Sequence, residues 1–469
     1  MPKEFFNRSN ELNLIKEKYE KMKSGEMLVV YGRRRVGKTE LIKEFMKSLD
    51  IKKKLYFYVD LVSEKQLLDS FSSSIQEQLG ETFRFENFGG VLKYLEEKSA
   101  NGKFLFVVDE FQRFLDVAPG FITQLQNQWD SGLKNNRIMI ILVGSSIGMI
   151  QKITESRAGA LYGRVSKVKI SPFRYVDFRL MFRDVEETQK IIRYAIFGGT
   201  PYYLSKTKDV PDVLQAISNL VLKKGGELYE EPKNLLEYEN VRVHATYNSI
   251  LYSIASGKEI LNEIAGFAKE PSTTITAYLR RLDDLLDLVG KHDPIFGKER
   301  LGRYAIRDNF FRFWYKFVFP NQTAINLGNV NLVYNNIKQN INSYVGRIFE
   351  DVIRELLVLY QNKKIKNAEI NFEDIGSWWD RNGNEIDIVA YNKKEKKILV
   401  GEVKWTNEPV DIDVLNELVR KSKFLNFEGS YQYFIASKSG FTERCFNEMK
   451  SRNVLHLDIN DISKLFDNA

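Results

Sequence analysis

The stretch Leu28-Val-Val-Tyr-Gly-Arg-Arg-Arg-Val-Gly-Lys-Thr39 decides the predicted fold. An apolar run breaks at Gly32, and the next residues follow the spacing G-x-x-x-x-G-K-T. Residues 40–46 then place apolar side chains at helical spacing. A strand, a glycine loop and a helix in this order are the context that a phosphate-binding loop requires. Backbone N–H groups of such a loop converge on phosphate oxygens, and the helix N-terminus adds partial positive charge.

The loop residues have distinct expected roles. Lys38 is expected to reach the β- and γ-phosphates, and the Thr39 hydroxyl is expected to bind Mg²⁺. The predicted nucleotide contacts are Gly32, Arg33, Arg34, Arg35, Val36, Gly37, Lys38, Thr39 and Glu40. The sequence therefore predicts that this chain binds a nucleoside triphosphate with Mg²⁺.

Composition limits the other classes of function. The 469 residues suggest about three domains, and 43% apolar residues are ample for packed cores. The net charge of +8 permits a nucleic-acid partner without requiring one, because 62 acidic residues are interspersed among 70 basic ones. Cys445 is the only cysteine, which excludes intramolecular disulfides and cysteine-based zinc sites. No stretch approaches the roughly 18 apolar residues of a membrane span, so we expect a cytoplasmic protein without membrane contact.

A second group of functional residues follows two apolar runs. Residues 104–108 are all apolar and precede Asp109 and Glu110, as expected of a buried parallel strand with acids at its tip. Asp109 is expected to hold Mg²⁺ through water, and Glu110 is expected to orient and deprotonate the attacking water. The next strand, from Arg137, ends at Gly-Ser-Ser, where Ser145 or Ser146 could sense the γ-phosphate; a simple turn is the alternative.

Taken together, these motifs resemble the archaeal ATPase family, a branch near the STAND and AAA+ ATPases. The matching segments are Phe6-x-Arg8-x-x-Glu11-Leu12, Gly32 to Thr39, Val108-Asp109-Glu110-Phe111, Leu161-Tyr162-Gly163-Arg164 and Gly198-Gly199-x-Pro201. The resemblance implies ATP as cofactor, with Arg164 contacting the γ-phosphate in cis or from a neighbouring copy. It also implies that Gly199 to Pro201 closes over the adenine side, and that the Asp109 strand lies beside the phosphate-loop strand.

Residues 206–310 are expected to form a helical lid and a winged helix. Two short helices precede a hairpin-like segment from Val289 to Ile306, and the family resemblance also implies a winged helix here. Basic wing residues, Lys298, Arg300 and Arg303, could reach nucleic-acid phosphates. However, charges between residues 257 and 306 balance, so a purely structural role is slightly favoured over contact with nucleic acid.

The segment of residues 311–345 is expected to be a linker helix. It begins within an aromatic run, residues 308–317, for which we expect a core helix rather than a base-stacking platform. The residues from 321 to 342 are rich in asparagine and are interpreted as a connector.

Residues 346–469 carry a second candidate chemistry. Alternating residues on both sides of a polar turn predict an antiparallel hairpin, and a turn centred between Lys394 and Glu395 sets Asp387 opposite Glu402. Lys404 lies two residues further on the same face. This trio resembles the metal site of PD-(D/E)xK nucleases, which implies Asp387 and Glu402 as Mg²⁺ ligands, Lys404 as a catalytic residue and Glu350 as a further ligand. A charged pair on a solvated face is the alternative.

The sequence thus predicts an α/β protein with four parts. A parallel-sheet P-loop ATPase domain (1–205) precedes the lid and winged helix (206–310), a linker helix (311–345) and a small α/β nuclease-like domain (346–469). Two functions remain open: an ATP-hydrolysing switch controlling a nuclease, or an ATP-gated module that binds nucleic acid or protein without cutting. A homo-oligomer and an additional protein partner are compatible with both.

Overall fold

The computed structural model describes residues 5–155, 159–238, 244–297 and 301–469. Their contacts form two compact units. The first contains the described residues up to Pro172 together with Arg280–Asp287, and the second contains Phe173–Leu279 and Leu288–Ala469. The predicted boundary at residue 205 therefore falls inside the second unit, because the segment from Phe173 onward packs with later helices.

The first unit is a three-layer α/β structure. Its elements are α1 (Ser9–Lys21), β1 (Glu26–Tyr31), α2 (Lys38–Lys47), β2 (Lys54–Tyr58), α3 (Glu64–Leu79), α4 (Phe88–Ala100), β3 (Phe104–Asp109), α5 (Phe114–Val117), α6 (Gly120–Ser131), β4 (Ile138–Gly144), α7 (Ile147–Thr154) and β5 (Ser166–Lys169). Apolar side chains pack on both faces of the sheet in two separate clusters. Local signals fix element ends: Ser63 and Gln66 form a capping box at the start of α3.

The five strands are parallel and lie in the order β2-β3-β4-β1-β5. The expectation that the Asp109 strand lies beside the phosphate-loop strand is wrong, because β4 lies between them. In register, Val29 of β1 pairs with Leu142 of β4, which pairs with Val108 of β3. Every residue of β4 is buried, as expected for a strand covered on both faces and both edges.

A distant segment completes the first unit. Residues Arg281–Leu285 form a π-helical turn that packs near α7. A Cβ added at Gly148 of α7 would lie 2.1 Å from Cδ2 of Leu285, and Lys169 pairs with Asp287 at 2.7 Å. The predicted second helix of the winged helix therefore changes from α-helical to π-helical after Arg280.

The second unit begins with helices. Its first elements are α8 (Tyr175–Arg179), α9 (Glu187–Phe197), α10 (Pro201–Thr207), α11 (Val213–Ile217), α12 (Glu231–Tyr238), α13 (His244–Ala255), α14 (Leu261–Ala268), α15 (Ser272–Arg280), the antiparallel pair β6 (Val289–His292) and β7 (Arg303–Ile306), α16 (Asn309–Phe313) and α17 (Gln322–Asn326). Helices followed by a two-stranded hairpin are the order that the winged-helix prediction requires. The predicted wing residues Lys298 and Arg300 lie outside the described residues.

The rest of the second unit surrounds a mixed sheet. Its elements are α18 (Val330–Leu359), β8 (Lys363–Ile365), β9 (Ala368–Ile370), β10 (Asp374–Trp379), β11 (Glu385–Asn392), β12 (Lys397–Lys404), α19 (Ile412–Ser422), β13 (Ser430–Ser437), α20 (Glu443–Ser451), β14 (Leu455–Leu457) and α21 (Ile459–Asp467). The sheet order is β10-β11-β12-β13-β14, antiparallel in its first three strands and parallel in its last three. Strands β8 and β9 form a separate hairpin.

Helix α18 joins regions that the sequence analysis separated. Its 30 residues run through the predicted boundary between 345 and 346. The Tyr344 hydroxyl donates to the carbonyl oxygens of Ala195 and Asn309, at 3.1 and 3.0 Å. Further along, the Glu355 carboxylate accepts the N–H groups of Tyr175 and Val176 at the start of α8. Residues 311–345 are therefore no independent linker.

The aromatic run from residue 308 forms core, as expected. Phe310, Phe311, Phe313, Trp314 and Tyr315 are fully buried. No helix in the described ranges is both long and apolar enough to cross a membrane.

Gly199 offers a test of the packing in the second unit. A Cβ added there would lie 1.8 Å from the carbonyl oxygen of Phe173, so Gly199→Ala should destabilise the chain by about 2–4 kcal/mol, as overpacking does. The matched control is Gly266→Ala, on the exposed face of α14 with no atom within 4 Å, which should stabilise by about 0.5–1 kcal/mol. Thermal unfolding measures both, and equal melting temperatures would contradict the described contact.

Candidate functional sites

The predicted phosphate-binding loop joins β1 to α2, which begins at Lys38. Gly32 has a φ of +152°, and a Cβ there would lie 2.1 Å from the carbonyl oxygen of Ile170. Only glycine fits such a close backbone approach. The buried Lys38 donates from Nζ to the carbonyl oxygens of Gly32 and Arg33, at 2.9 and 2.8 Å. These bonds hold the Lys38 ammonium group against the backbone at the start of the loop.

The other loop residues differ in exposure. Arg33 and Val36 are buried, Arg34 and Arg35 are half-buried, and Glu40 is exposed. Arg35 takes a left-handed backbone conformation, with a φ of +70°. The Val36 carbonyl oxygen accepts a hydrogen bond from Nη2 of Arg8 at 3.2 Å, which ties the loop to the chain's first helix.

Asp109 is buried at the tip of β3, and three donors satisfy its carboxylate. Thr39 Oγ1 and the Tyr56 hydroxyl donate to Oδ2, at 2.8 and 2.7 Å. The Glu110 N–H donates to Oδ1 at 2.9 Å. The structure therefore brings together the two residues predicted to hold Mg²⁺, and a hydroxyl with a carboxylate is a donor set that suits this ion.

Tyr56 was missed by the sequence reasoning. It lies on β2 opposite Val107 of β3, and it shares one oxygen of Asp109 with Thr39. Burial raises the pKa of the Tyr56 hydroxyl, and the negative charge of Asp109 raises it further, so the group remains a neutral donor. The sequence predicted that residues 54–60 form a strand. It did not indicate that this strand lies beside the strand that ends at Asp109.

Glu110 is held by polar side chains at the end of the sheet. Its φ of +56° is left-handed, which is uncommon for a residue with a side chain. Ser145 Oγ and Gln112 Nε2 donate to Oε2, at 2.9 and 2.5 Å. The guanidinium nitrogens of Arg34 and Arg113 lie 3.9 Å away. The structure thus joins Glu110 to the predicted Ser145, and it adds Gln112, which no sequence motif indicated.

Two further residues have nucleotide-contacting roles implied by the resemblance. Arg164 pairs with the Asp130 carboxylate on α6, with its Nη2 at 2.7 Å from Oδ2. The bonds from this guanidinium hold the pKa of Asp130 below its usual range. Pro201 is the first residue of α10, in the second unit. The nucleotide-contacting roles of both residues stay predictions.

The second candidate site lies on β11 and β12. Ile388 pairs with Gly401, and continuing this register places Asp387 opposite Glu402, as the sequence analysis predicted. The Val403 N–H donates to Asp387 Oδ2 at 2.8 Å, and Lys404 Nζ donates to Glu402 Oε1 at 2.6 Å. Both carboxylates are buried, and Glu402 Oε2 has no hydrogen-bond partner among the described residues. A buried acceptor without a donor suits a cation.

The charges of this site perturb each other. Burial, with the nearby Glu402 second, raises the pKa of Asp387 to about 7. Burial and Asp387 raise the pKa of Glu350 well above its usual range, so this α18 residue lies within electrostatic reach. Burial alone would lower the pKa of Lys404, but the carboxylates of Glu402 and Asp387 raise it.

The three carboxylates do not form a complete ligand set. Within the described ranges, no group of three or more histidine, cysteine, aspartate or glutamate residues is arranged to hold a metal ion. The metal role of Glu350 therefore stays a prediction. Lys421 of α19, which no sequence motif indicated, also lies near this site, with its Nζ 3.6 Å from Glu402 Oε1.

Comparison with known proteins identifies the family. A model described as "ATPase domain predominantly from Archaea" matches residues 5–207, and one described as "Archaea bacterial proteins of unknown function" matches residues 314–423. Uncharacterized protein MJECL04 of Methanocaldococcus jannaschii is 30% identical over 436 residues, which cover 92% of this chain and 94% of that protein. The chain belongs to the archaeal ATPase family.

Two further similarities are to proteins described as an ATPase and as an ATP-binding protein. The Walker-type ATPase PABY2304 of Pyrococcus abyssi is 20% identical, with a TM-score of 0.53 over 67% of this chain and 97% of that chain. This likeness confirms the predicted P-loop ATPase fold. Uncharacterized ATP-binding protein MJ0423 of Methanocaldococcus jannaschii is 43% identical over 53 residues, 11% of this chain and 88% of that protein. Membership of the archaeal ATPase family supports ATP binding and hydrolysis.

Lys38 provides the first test of the nucleotide site of this archaeal ATPase. At a hundredfold excess over its dissociation constant, ATP with Mg²⁺ should stabilise the wild-type chain by about 2.7 kcal/mol. Lys38→Ala should abolish this stabilisation because it removes the charge held against the loop. Lys43→Ala, an exposed position on the same helix, is the control and should keep it. Thermal unfolding measures the shift, and a full shift in Lys38→Ala would contradict the assignment.

Asp387 provides a test of the second site. The pKa of Asp387 is raised in the folded state, to about 7. Below that pH the folded state keeps a proton on Asp387 that the unfolded state has already lost. The free energy of unfolding therefore falls as the pH rises towards about 7. Without divalent cations, the melting temperature of Asp387→Asn relative to wild type should therefore increase from about pH 5 to about pH 8. Asp374→Asn, exposed on the same sheet, is the control. If the difference in melting temperature between Asp387→Asn and wild type does not change with pH, burial does not raise the pKa of Asp387.

Proposed function

We propose that this protein is an ATP-hydrolysing switch whose nucleotide state controls a Mg²⁺-dependent, nuclease-like C-terminal region acting on nucleic acid. The ATPase half rests on the Thr39–Asp109 contact, which joins the phosphate-binding loop to the tip of β3. Thr39 and Asp109 would hold Mg²⁺, and Lys38 would neutralise phosphate charge. Bound Mg²⁺ would neutralise negative charge on the phosphates. Glu110, oriented by Ser145 and Gln112, would accept a proton from the attacking water.

Arg164 would complete this half of the proposal. Its guanidinium is only partly buried and is bound to an exposed partner, Asp130, so exchanging that partner for phosphate would cost little. Supply of Arg164 from a neighbouring copy would require a homo-oligomer.

The nuclease half rests on one observation: the buried Glu402 Oε2 has no donor among the described residues. Its neighbour across the strands is Asp387, whose pKa burial raises to about 7. A divalent cation would satisfy both carboxylates and supply Lewis acidity at a phosphodiester. Asp387 and Glu402 would hold the ion, with Glu350 as a further ligand from α18. Lys404 would orient the hydrolytic water or stabilise the developing negative charge.

A second candidate function is an ATP-gated module that binds nucleic acid or protein without cutting. Two observations favour it: Lys404 Nζ already donates to Glu402 Oε1 at 2.6 Å, and the described residues form no three-ligand metal group. In this case the lysine and the carboxylates would be a structural charge cluster. The two functions differ in whether divalent cations are needed for any activity of the C-terminal region.

Cleavage assays separate the two functions. Wild-type protein with Mg²⁺ or Mn²⁺ should cut DNA or RNA at a rate that changes on adding ATP. Asp387→Ala and Lys404→Ala should each lower the rate by about a hundredfold or more, as expected for residues that act on the reacting phosphate. Lys450→Ala, an exposed lysine of α20, is the matched control and should cut normally. Lys38→Ala should cut without responding to ATP. If the wild type cuts neither nucleic acid under any nucleotide condition, the binding module is the better account.

A further inference from the structure

The β6–β7 hairpin, described over residues 289–297 and 301–306, is bound to the edge of the C-terminal sheet. The Ile295 N–H donates to the carbonyl oxygen of Ser377 on β10 at 2.9 Å. The Ile295 side chain belongs to the apolar core formed by Trp378, Val389 and neighbouring residues of that sheet. The Phe296 ring packs on Tyr391, with the ring centroids 4.6 Å apart. Ile295 of the hairpin therefore forms part of the C-terminal core, and the exposed Phe296 packs on Tyr391 beside it.

The same hairpin supplies an arginine to β11. Arg303 Nη1 donates to both carboxylate oxygens of Glu385, at 3.1 and 3.0 Å. Its guanidinium carbon lies 4.5 Å from the centre of a Trp379 ring, within the range of a cation–π contact. The Trp379 indole N–H in turn donates to the carbonyl oxygen of Leu301 at 2.8 Å. The predicted phosphate contact of Arg303 is thus replaced by a carboxylate and an indole of the same chain.

These contacts lie around an irregularity in the pairing of β10 with β11, at Asp387. Gly376 pairs with Val389 and Trp378 with Ile386, so two residues of β11, Asp387 and Ile388, face the single Ser377. This is a β-bulge on β11, an irregularity that re-aims a side chain and often lies next to active sites.

Side chains support the bulge from both sides. The Ser377 hydroxyl donates to the Asp387 carbonyl oxygen at 2.8 Å, and Nη2 of Arg354 donates to the Ser377 hydroxyl oxygen at 2.8 Å. Ser377 therefore connects Ile295 of the hairpin to Asp387 through two hydrogen bonds. Arg303 holds the same strand two residues before Asp387, through Glu385.

We propose that Arg303 and Ser377 are positioning residues: through them the β6–β7 hairpin fixes the bulge that aims Asp387 at Glu402. The functional meaning of this role rests on the nuclease proposal, whereas the positional claim does not. The bond from the Val403 N–H to Asp387 Oδ2 reports the position of the Asp387 side chain directly.

The hairpin also has a covalent connection to the ATPase unit. Leu285 and Asp287, which contact α7 and β5, precede β6 by only a few residues. Helix α7 starts directly after Ser145 and Ser146, at the strand tip predicted to sense the γ-phosphate. If ATP binding displaces α7, residues 281–287 are the segment of chain that connects this displacement to the hairpin.

A charge exchange in the full-length protein tests the positional claim. Arg303→Glu and Glu385→Arg each bring like charges together and should speed amide hydrogen exchange at Val403 about tenfold, the size expected when a half-buried charged contact is lost. The double variant restores opposite charges and should return the rate to within about threefold of wild type. Amide-resolved exchange measured by mass spectrometry gives these rates, and exchange at Phe434 in the neighbouring strand should not change.

Two controls keep the result interpretable. Arg452→Met removes an exposed ion pair between Glu448 of α20 and the residue that follows this helix, and it should leave Val403 exchange unchanged. If a charge variant does not fold, Gly376→Ala is used instead, because its Cβ would lie 3.0 Å from the Ile295 side chain, which would have to shift by a few tenths of an ångström. Unchanged Val403 exchange in the folded single variants, or a double variant as fast as the singles, would overturn the proposal.

Two further readouts separate this proposal from the proposed nuclease activity. If the wild type cuts nucleic acid, Arg303→Glu should raise the Mn²⁺ concentration for half-maximal cleavage, and the double variant should restore it. If the wild type cuts nothing, the nuclease proposal fails, and the exchange rates still decide whether the hairpin positions Asp387. In wild type, ATP added to Mg²⁺ should change Val403 exchange, and Leu285→Ala should abolish that change. An equal ATP response in Leu285→Ala would overturn the transmission through residues 280–287.

Discussion

The free-energy cost of burying a carboxylate is the constraint on which both candidate sites depend. Asp109 meets it completely, because donors from α2, β2 and its own following residue surround its two oxygens. Those donors come together only when the phosphate-binding loop and the tips of β2 and β3 lie at one edge of a parallel sheet. Asp387 and Glu402 meet the same constraint only in part, since one oxygen of Glu402 has no donor in the described structure. This difference distinguishes a carboxylate whose two oxygens both accept hydrogen bonds from a pair in which, among the described residues, one oxygen has no donor.

Much of the nucleotide site could be predicted because its main parts are contiguous in sequence. The loop from Gly32 to Thr39 carries its own glycines, lysine and hydroxyl, and the apolar run before Asp109 identifies a buried strand. The pairing of Asp387 with Glu402 was also predictable, because a tight turn fixes the register of an antiparallel hairpin. Tyr56 and Gln112 were not, since their roles depend on contacts with residues that no local pattern connects to them.

Strand order and domain boundaries were harder to predict from sequence, because they too depend on contacts between residues that are distant along the chain. No sequence feature of β4 indicates that it pairs with both β1 and β3. The family resemblance wrongly implied that β3 lies beside β1. The hairpin at residues 289–306 shows a related ambiguity. An arginine on a hairpin suits a phosphate and a carboxylate equally well, and only the folded chain shows that Arg303 binds Glu385. A pattern typical of a wing predicts its shape but not the surface that it covers.

Helix α18 has a consequence for how this architecture could be inherited. At 1.5 Å per residue, its 30 residues form a rod of about 45 Å. The same rod carries Tyr344, which binds Ala195 and Asn309, and Glu355, which caps α8. It also carries Glu350, which lies within electrostatic reach of Asp387. A recombination point within this helix would divide one rigid body and expose apolar surface on both fragments. We therefore expect the C-terminal region to be exchanged between genes only together with the residues of the second unit that pack along α18.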